Sequence, residues 1–233
     1  MIEEAIILSG GLGTRLRDTV PGIPKTLAPV GGSPFLKYVI DFLILNGVKH
    51  FVFSLGFKHE LISQYINIQF PYLNCTTSVE KEPLGTGGAI FNSLKACKDE
   101  NIFIVNGDTL FKIDLSSLSH FHLKNEAACT LSLKYMKDIN RYGVVEMDSS
   151  STITGFKEKA KYPNGLINGG VYALNIPRFK QAVFPEKFSF ETEYLEKYIG
   201  NQKIMGLVQD AYFIDIGIPE DFEKANRELG NHT

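Results

Sequence analysis

The segment AIILSGGLGTRLR, residues 5–17, indicates the fold class of this chain more clearly than any other segment. Residues 5–8 are apolar and β-prone, and Gly10, Gly11 and Gly13 follow them directly. Glycines after a buried strand let backbone N–H groups approach a phosphate without interference from a Cβ atom. The segment therefore predicts a strand that leads into a phosphate-binding loop.

Two familiar phosphate-binding motifs do not match this loop. A dinucleotide-binding fingerprint requires a third glycine at the position of Leu16, and a P-loop requires a Gly-Lys-Ser/Thr triplet that is absent here. Arg15 and Arg17 lie in the loop and Lys25 follows in VPGIPKTLAPV, so positive charge is available near the backbone amides. A surface turn with solvated arginines is the alternative, but Arg15 and Lys25 together favour phosphate binding.

Short β-prone runs alternate with helical stretches as far as residue 114. The predicted strands of this half are residues 5–8, 50–55, 76–79 and 101–105. The predicted helices are residues 34–46, 58–66 and 87–97, with Gly47 ending the first of them. This order predicts an α/β fold with a Rossmann-like, mostly parallel sheet and helices on both faces.

The pattern changes after Asp114, where strand-like runs are separated by turns rather than by helices. The predicted strands of this half are residues 129–135, 143–147, 153–156, 170–173 and 212–214, and the predicted helices are residues 179–183, 191–199 and 219–229. The second half therefore adds antiparallel or mixed strands to the sheet. Since no repeat or linker interrupts the pattern, we treat residues 1–233 as a single domain.

Composition and charge limit the possible functions. Of the 233 residues, 44% are hydrophobic and 21% are charged, and the formal net charge is -2. This balance gives no general attraction to nucleic acid or anionic membranes, so a bound phosphate must be held by a local site. The start MIEEAIILSGG lacks the basic residues of a secretory signal, and no segment approaches the roughly 18 apolar residues of a membrane span. We expect a cytoplasmic protein without a nucleic-acid or membrane partner.

Cysteines and histidines offer no catalytic constellation. Cys75, Cys97 and Cys129 are widely spaced, which favours reduced thiols over a disulfide framework or a CxxC metal site. The five histidines show no ligand spacing beyond HFH at residues 120–122. We assign none of them a role in catalysis.

Two aspartates are candidate metal ligands because each follows a predicted strand. Asp108 lies in IVNGDTL, and Asp215 lies in YFIDIGIP. Ligands gather at the carboxyl ends of strands in open parallel sheets, and Mg²⁺ binds through one or two carboxylates plus substrate phosphates. A turn or N-cap role is the alternative for Asp108. If the fold brings the two aspartates together, they predict one shared metal or two metals that clamp a triphosphate.

Further polar groups follow other predicted strands. Glu80 begins EKEPLGTGGA, and its carboxylate can accept two hydrogen bonds, which suits the adjacent N1–H and N2–H donors of guanine. In FKEK, residues 156–159, Glu158 can accept from sugar hydroxyls and Lys159 can hold a phosphate, and Asn168 of INGGVY can do either. Solvated surface charges are the alternative for each.

Eight motifs resemble the sugar-1-phosphate nucleotidyltransferase family, in the family's order and along nearly the whole chain. They are LSGGLGTRL, PKTLAPVGGSPFL, EPLGTGGA, NGD, YGVV, FKEK, NGGVY and IDIGIPEDF. The resemblance implies the nucleotide-diphospho-sugar transferase fold, with a nucleotide-binding part at residues 1–114 and a sugar-phosphate-binding part at residues 115–233. It also implies Mg²⁺ as cofactor, a nucleoside triphosphate and a sugar 1-phosphate as substrates, and it is compatible with a homo-oligomer.

The resemblance further implies roles for individual residues. Nucleotide contacts fall on Leu8, Ser9, Gly10, Gly11, Gly13, Thr14, Glu80, Pro83, Gly85 and Thr86. Catalytic roles fall on Arg15, Lys25 and Asp108, and Mg²⁺ binding falls on Asp108 and Asp215. Sugar-phosphate contacts fall on Tyr142, Gly143, Glu158, Lys159, Asn168 and Gly170.

Within the family, VPGIPKTLAPVGGSPFL and FIDIGIPEDF are most similar to the D-glycero-D-manno-heptose 1-phosphate guanylyltransferases. We therefore expect GTP and that heptose phosphate as substrates, with guanylyl transfer to mannose 1-phosphate or thymidylyl transfer to glucose 1-phosphate as alternatives. A glycosyltransferase is disfavoured because Asn106, Gly107 and Asp108 offer only one carboxylate at the Asp-x-Asp spacing. A non-catalytic nucleotide-sugar sensor would lack Arg15, Lys25 or an acidic ligand, and all of these are present.

Overall fold

The computed structural model describes residues 1–11, 13, 16, 19–158 and 160–230 of the chain. In these residues the strands are β1 Glu4–Ser9, β2 Pro29–Val30, β3 Ser33–Pro34, β4 His50–Leu55, β5 Cys75–Val79, β6 Asn101–Asn106, β7 Thr109–Phe111, β8 Cys129–Ile139, β9 Val144–Met147, β10 Ile153–Lys157, β11 Tyr162–Asn175, β12 Ile204–Val208 and β13 Phe213–Asp215. The helices are α1 Phe35–Leu45, α2 His59–Gln69, α3 Gly85–Ser93, α4 Leu115–Lys124, α5 Ile176–Phe179 and α6 Pro219–Gly230. Two 3-10 turns, Lys25–Leu27 and Leu94–Ala96, and a π-helical segment, Glu191–Glu196, complete the described elements.

A mixed sheet of nine strands forms the centre of the described fold, in the order β10-β9-β11-β6-β1-β4-β5, with β8 beside β11 and β12 beside β8. Strands β6, β1, β4 and β5 run parallel to one another, whereas β11 runs antiparallel to β6, β8 and β9. The prediction of an α/β fold with a mostly parallel sheet, flanked by helices and extended by antiparallel or mixed strands in the second half, is confirmed.

Both faces of the sheet are covered, as the apolar strand sequences require. Along β1, Ala5 and Ile7 contribute to one buried core, and Ile6 contributes to the other. Helices α1, α2, α4 and α6 pack into the first core, and α3 and α5 pack into the second. A strand that is buried on both faces has a nearly continuous apolar sequence, which explains the run of residues 5–8.

Helix α4 corrects the prediction that turns alone separate the strands after Asp114. The Asp114 carboxylate accepts from the N–H groups of Ser116 and Ser117, which caps the helix. The serines and histidines of LSSLSHFHLK weaken the helical pattern in the sequence, but two of them are buried with hydrogen-bond partners. Ser119 Oγ accepts from the Ile2 N–H at 2.9 Å, and His122 Nδ1 lies 2.9 Å from Thr130 Oγ1.

Three further elements differ from the prediction. Helix α5 begins at Ile176 rather than at residue 179, because Asn175 accepts from the Arg178 N–H at 3.0 Å and a proline occupies the first turn. Strand β12 was not predicted at all, although it pairs in parallel with β8 at the end of the sheet. The prediction of a strand at residues 170–173 covers only part of β11, which has 14 residues.

The described structure also bears on the cysteines and on membrane-spanning helices. Cys75, Cys97 and Cys129 are free, and burial together with Glu4 raises the pKa of Cys97 to about 12. Among the described helices, none has the length and apolar composition that a membrane-spanning helix needs.

Candidate active site

The candidate site lies where strands β1, β4 and β6 reach their carboxyl ends, because parallel strands end at the same edge of a sheet. Gly10 follows β1, and a Cβ atom at this position would lie 2.9 Å from Glu80 Oε1 and 3.2 Å from the Gly56 nitrogen. Glycine is therefore required here for the loop to approach the neighbouring chain segments. Gly10 therefore allows close packing between chain segments at this edge, in addition to the backbone access to a ligand that the sequence predicts.

Three cavities meet at this edge, as outlined by the described residues. A central cavity of about 330 Å³ has Lys25, Asp108 and Asp215 in its wall. A second cavity of about 480 Å³ shares Asp108 with the central one, and a third of about 300 Å³ shares Asp215 with it. Asn106, the last residue of β6, lines all three. A ligand with three connected parts can therefore extend from the second cavity, through the central one, into the third.

The sequence-predicted residues distribute among these cavities in groups. Every described member of the predicted nucleotide set lines the second cavity, except Ser9, which lines the central one. The third cavity contains Tyr142, Gly143, Glu158, Asn168 and Gly170, the described members of the predicted sugar-phosphate set. Thr14, Arg15 and Lys159 lie outside the described residues, so their predicted contacts stay predictions.

Lys25, Asp108 and Asp215 form the charged centre of the site. Lys25 Nζ lies 2.6 Å from Asp108 Oδ2, and the Lys25 side chain is only 15% exposed. Asp215 comes to this place because β13 pairs with β7, which puts it opposite Thr109 in the ladder. The Ile216 N–H also donates to the Asp108 carbonyl at 3.0 Å. The backbone pairing of two short strands therefore brings the two aspartates together.

The electrostatics of Asp215 reflect this crowding. Burial, and then the neighbouring charge of Asp108, raise the pKa of its carboxyl, while Lys25, Arg141 and the Gly217 N–H oppose the rise. Two carboxylates that share a cavity repel each other, so a cation between them would relieve the repulsion. Among the described residues no group of three His, Cys, Asp or Glu side chains could hold a metal. Mg²⁺ binds through one or two carboxylates and completes its shell with phosphates and water, so the donor chemistry of Asp108 and Asp215 fits this ion.

Glu80 occupies the wall of the second cavity. Its Oε2 accepts from the Leu84 N–H at 2.9 Å, which closes the turn before α3. Burial raises the pKa of this carboxyl, and the Leu84 N–H opposes the rise. One carboxylate oxygen is thus used for the turn, and the other lies beside Gly10.

The third cavity is shaped by an irregularity in β11. The register between β11 and β8 shifts between Asn168 and Tyr172, which is the signature of a β-bulge. Within the bulge the Gly170 N–H donates to Asn168 Oδ1 at 3.1 Å, and Asn168 Nδ2 donates to the Tyr172 hydroxyl at 2.8 Å. The bulge therefore fixes the Asn168 amide in the cavity wall.

Arg141 is a cation of the third cavity that was not predicted from the sequence. Its guanidinium lies 4.6 Å from the centre of the Tyr142 ring, forms a hydrogen-bonded ion pair with Asp221, and lies 3.6 Å from Asp215 Oδ2. Glu191 and Glu196 also line this cavity and were not predicted. Arg141 directly precedes the YGVV motif, so its position next to a predicted site residue was the available signal.

Comparison with known proteins assigns the chain to a family. The model for the family described as "Nucleotidyl transferase" matches residues 4–232. The chain belongs to the nucleotidyl transferase family. The charged centre between the three cavities is thus the candidate active site of a nucleotidyl transferase.

Individual relatives cover this nucleotidyl transferase almost completely. It is 45% identical over 229 residues to the D-glycero-alpha-D-manno-heptose 1-phosphate guanylyltransferase of Aneurinibacillus thermoaerophilus, covering 98% of this chain and 99% of that protein. It is 44% identical over 219 residues to the protein of the same name from Campylobacter jejuni, covering 94% and 96%. The crystal structure of HddC from Yersinia pseudotuberculosis complexed with GMP-PN has a TM-score of 0.88 and 34% identity, covering 98% of this chain and 100% of that one.

Proposed function

We propose that this nucleotidyl transferase joins GTP and D-glycero-D-manno-heptose 1-phosphate to form a GDP-heptose and release pyrophosphate. The observation that carries the proposal is the central cavity with Lys25, Asp108 and Asp215, which shares one aspartate with each neighbouring cavity. A nucleoside triphosphate in the second and central cavities would have its α-phosphate next to a sugar phosphate that enters from the third.

The relatives support the choice of substrates. Two proteins at 45% and 44% identity are named as heptose 1-phosphate guanylyltransferases, and each matches this chain over nearly its full length. Glu80 in the second cavity supports guanine, because its carboxylate suits the N1–H and N2–H donors of that base. We assign nucleotide binding to residues 1–114 and sugar-phosphate binding to residues 115–233.

The chemistry follows from charge. A phosphate monoester has a second pKa of about 6, so the sugar phosphate is already a nucleophile at neutral pH and needs no general base. Its oxygen attacks the α-phosphorus of the triphosphate, the new P–O bond forms in line, and the bond to the bridging oxygen breaks as pyrophosphate leaves. The protein must overcome the repulsion between two anions and hold them in line.

Positive charge and hydroxyl donors in the central cavity would serve this purpose. We assign Lys25, together with Arg15, to the triphosphate and to the charge that develops on the leaving pyrophosphate. Ser9 and Thr26 line the cavity, and their buried hydroxyls have no hydrogen-bond partner within the described parts of the chain. Since buried polar groups normally have a partner, these hydroxyls support a polar ligand here.

Asp108 and Asp215 are the residues that would hold Mg²⁺. Bound there, the ion would supply positive charge to the triphosphate and to the departing pyrophosphate. The ion pair with Lys25, in which the charged atoms lie 2.6 Å apart, holds the Asp108 carboxylate in place.

The sugar phosphate requires its own cation, and Arg141 extends the predicted set. We assign the phosphate of the nucleophile to Arg141 and Lys159, and the sugar to Tyr142, Gly143, Glu158, Asn168 and Gly170. The Arg141 guanidinium is held by Asp221 and by the Tyr142 ring, so it is oriented before the substrate binds.

Mannose 1-phosphate is the second candidate acceptor. The chain is 32% identical over 238 aligned residues to the mannose-1-phosphate guanylyltransferase of Mycobacterium tuberculosis, covering 97% of this chain and 64% of that protein. The pairing of a guanylyl donor with a sugar of the manno configuration is common to both candidates.

The proposal is tested by pyrophosphate release from purified protein in Mg²⁺. Four nucleoside triphosphates are crossed with heptose, mannose and glucose 1-phosphates. Release is expected to be fastest with GTP and the heptose phosphate. Faster release with another pair would replace the substrates, and no release with any pair would favour a non-catalytic sensor.

A further inference from the structure

The π-helical segment Glu191–Glu196 brings two carboxylates to the third cavity. Glu191 and Glu196 both line this cavity, although five positions separate them. In an α-helix, five residues correspond to about 140° beyond one full turn, so the two side chains would point away from each other. In a π-helix the backbone hydrogen bond itself joins residues five apart, so both lie on one side. The π-helical geometry is therefore what places both glutamates at the cavity.

The aromatic core fixes the rotation of this segment. Tyr194 and Leu195 are fully buried, and the Tyr194 ring lies 4.6 Å from the Phe179 ring and 5.2 Å from the Phe190 ring. The Tyr194 hydroxyl also donates to Gln202 Oε1 at 2.8 Å. With this side of the segment held in the core, the side of Glu191 and Glu196 is fixed toward the cavity.

The start of the segment is also attached to α3. Thr86 Oγ1 donates to Glu191 Oε2 at 2.7 Å, and the Phe190 N–H donates to Thr86 Oγ1 at 2.9 Å. The ring of Phe188 packs against Gly87, and a Cβ atom at position 87 would lie only 2.2 Å from Phe188 Cε2. This packing holds Glu191 where the second and third cavities adjoin, so that Glu191 lines both cavities.

Both carboxylates keep capacity to accept hydrogen bonds. The bonds to Glu191 from Thr86 and from Ser189 both use Oε2, which leaves Oε1 without a protein partner among the described residues. The Glu196 side chain is exposed and has no hydrogen-bond or ion-pair partner in the described part of the chain. Carboxylates accept only, so their natural partners are donors.

We propose that Glu191 and Glu196 accept hydrogen bonds from hydroxyl groups of the sugar and thereby select which sugar 1-phosphate is used. This inference rests on the proposed function. The carboxylates of Glu191 and Glu196 repel a phosphate, whereas Arg141, which lies beside Asp215 in the same cavity, attracts one. The cavity therefore orients the substrate with its phosphate toward Arg141 and its hydroxyls toward the π-helical segment.

The test compares Glu191→Gln and Glu196→Gln with Glu193→Gln as a matched control. Glu193 lies in the same segment, but its carboxylate accepts from the Ser189 N–H and the Thr192 hydroxyl and does not line the cavity. For each variant, kcat/KM is measured with the 1-phosphates of the heptose, mannose, 2-deoxymannose and 6-deoxymannose. The affinity for each sugar 1-phosphate is measured separately by calorimetry, and thermal unfolding checks that each variant is folded.

We expect both cavity variants to lose about tenfold in kcat/KM for the fully hydroxylated sugars and much less for a deoxy sugar that lacks the bonded hydroxyl. Their preference between the two kinds of sugar should change, and that of Glu193→Gln should not. The inference is wrong if both cavity variants keep the parent's sugar preference, or if they change only the Mg²⁺ requirement. If the parent neither turns over nor binds any sugar 1-phosphate, the proposed function falls as well.

Discussion

Lys25 Nζ lies 2.6 Å from Asp108 Oδ2, and this ion pair borders the central cavity. The contact links a lysine of the early loop to the carboxyl end of β6, 83 positions later in the chain. It places a fixed cation and a candidate metal ligand at the same wall. The pair is therefore the natural target for the first substitutions.

Replacing Asp108 with asparagine should impair catalysis through the metal. The amide keeps the size of the side chain but removes the negative charge, so we expect kcat to fall by about 10²–10³ fold, the range typical of lost electrostatic stabilisation in an active site. The Mg²⁺ concentration for half-maximal rate should rise. Initial rates of pyrophosphate release over a Mg²⁺ titration measure both quantities.

Asp210→Asn is the control for this experiment. Asp210 is fully exposed and pairs with Lys134 at 3.2 Å, outside the cavities described above. Its variant should keep the rate and the Mg²⁺ requirement of the parent. An Asp108→Asn variant that resembled the Asp210→Asn control would remove the proposed metal role.

Glu80 should determine the preference for guanine. Glu80→Gln replaces one acceptor oxygen with an N–H donor that opposes the donors of guanine, so the ratio of kcat/KM for GTP over ATP should fall by about tenfold or more. Glu82→Gln, two residues away and exposed, is the control. An unchanged ratio in the Glu80 variant would exclude the residue from base selection.

Arg141 should act on the sugar phosphate and not on the nucleotide. Arg141→Gln removes a cation from the third cavity, so we expect about a tenfold rise in KM for the sugar 1-phosphate with little change in KM for GTP. Asp221→Asn breaks the same ion pair but keeps the cation. If the two variants behave alike, Arg141 serves only to hold α6, and the proposed contact with phosphate is wrong.

His122 should make folding stability depend on pH. Burial, assisted by the charge of Arg178, lowers the pKa of this histidine from 6.5 to about 4 in the folded protein. Above pH 6.5, the pKa of this histidine in the unfolded chain, its contribution to stability is complete. As the pH falls from 6.5 toward 4, that contribution is lost, because the unfolded chain binds a proton that the folded protein does not. From pH 7 to pH 5 this single group should reduce the free energy of unfolding by about 2 kcal/mol.

Urea unfolding at the two pH values measures the effect of His122. The parent is compared with His122→Asn, which removes the titrating ring while other groups contribute equally to both proteins. The variant should lose less free energy of unfolding between pH 7 and pH 5 than the parent. Equal losses would show that the buried histidine is not the source.

The parallel half of the fold could be predicted because its strands are buried on both faces. Residues 5–8 lie within β1 and residues 50–55 coincide with β4, since apolar runs followed by glycines leave little ambiguity. Gly47 follows α1 with a φ of 84°, as expected for a residue that ends a helix. In contrast, α4 was missed because Ser119 and His122 are buried through hydrogen bonds to distant residues, which a single sequence does not reveal.

Residues of the candidate site that lie within a sequence motif could be predicted. Residues whose position depends on the pairing of distant strands could not be placed from the sequence. Asp108 and Asp215 were proposed as a pair, but their meeting depends on the ladder between β7 and β13, which contain only three residues each. Glu191 was missed because a helical pattern over residues 191–199 gives no sign of π-helical geometry. Glycine spacing and motif order are local signals, whereas the cavity walls are formed by contacts between distant segments.

The most direct test of nucleotidyl transfer at this site follows the phosphorus atoms of GTP. Purified protein, Mg²⁺ and the heptose 1-phosphate are incubated with GTP labelled with ³²P at either the α or the γ position, and the products are separated. If the site transfers a nucleotidyl group, the α label appears in the nucleotide sugar and the γ label appears only in pyrophosphate. Transfer of the γ label to the sugar phosphate, or no transfer of either label to any sugar product, would contradict nucleotidyl transfer at this site.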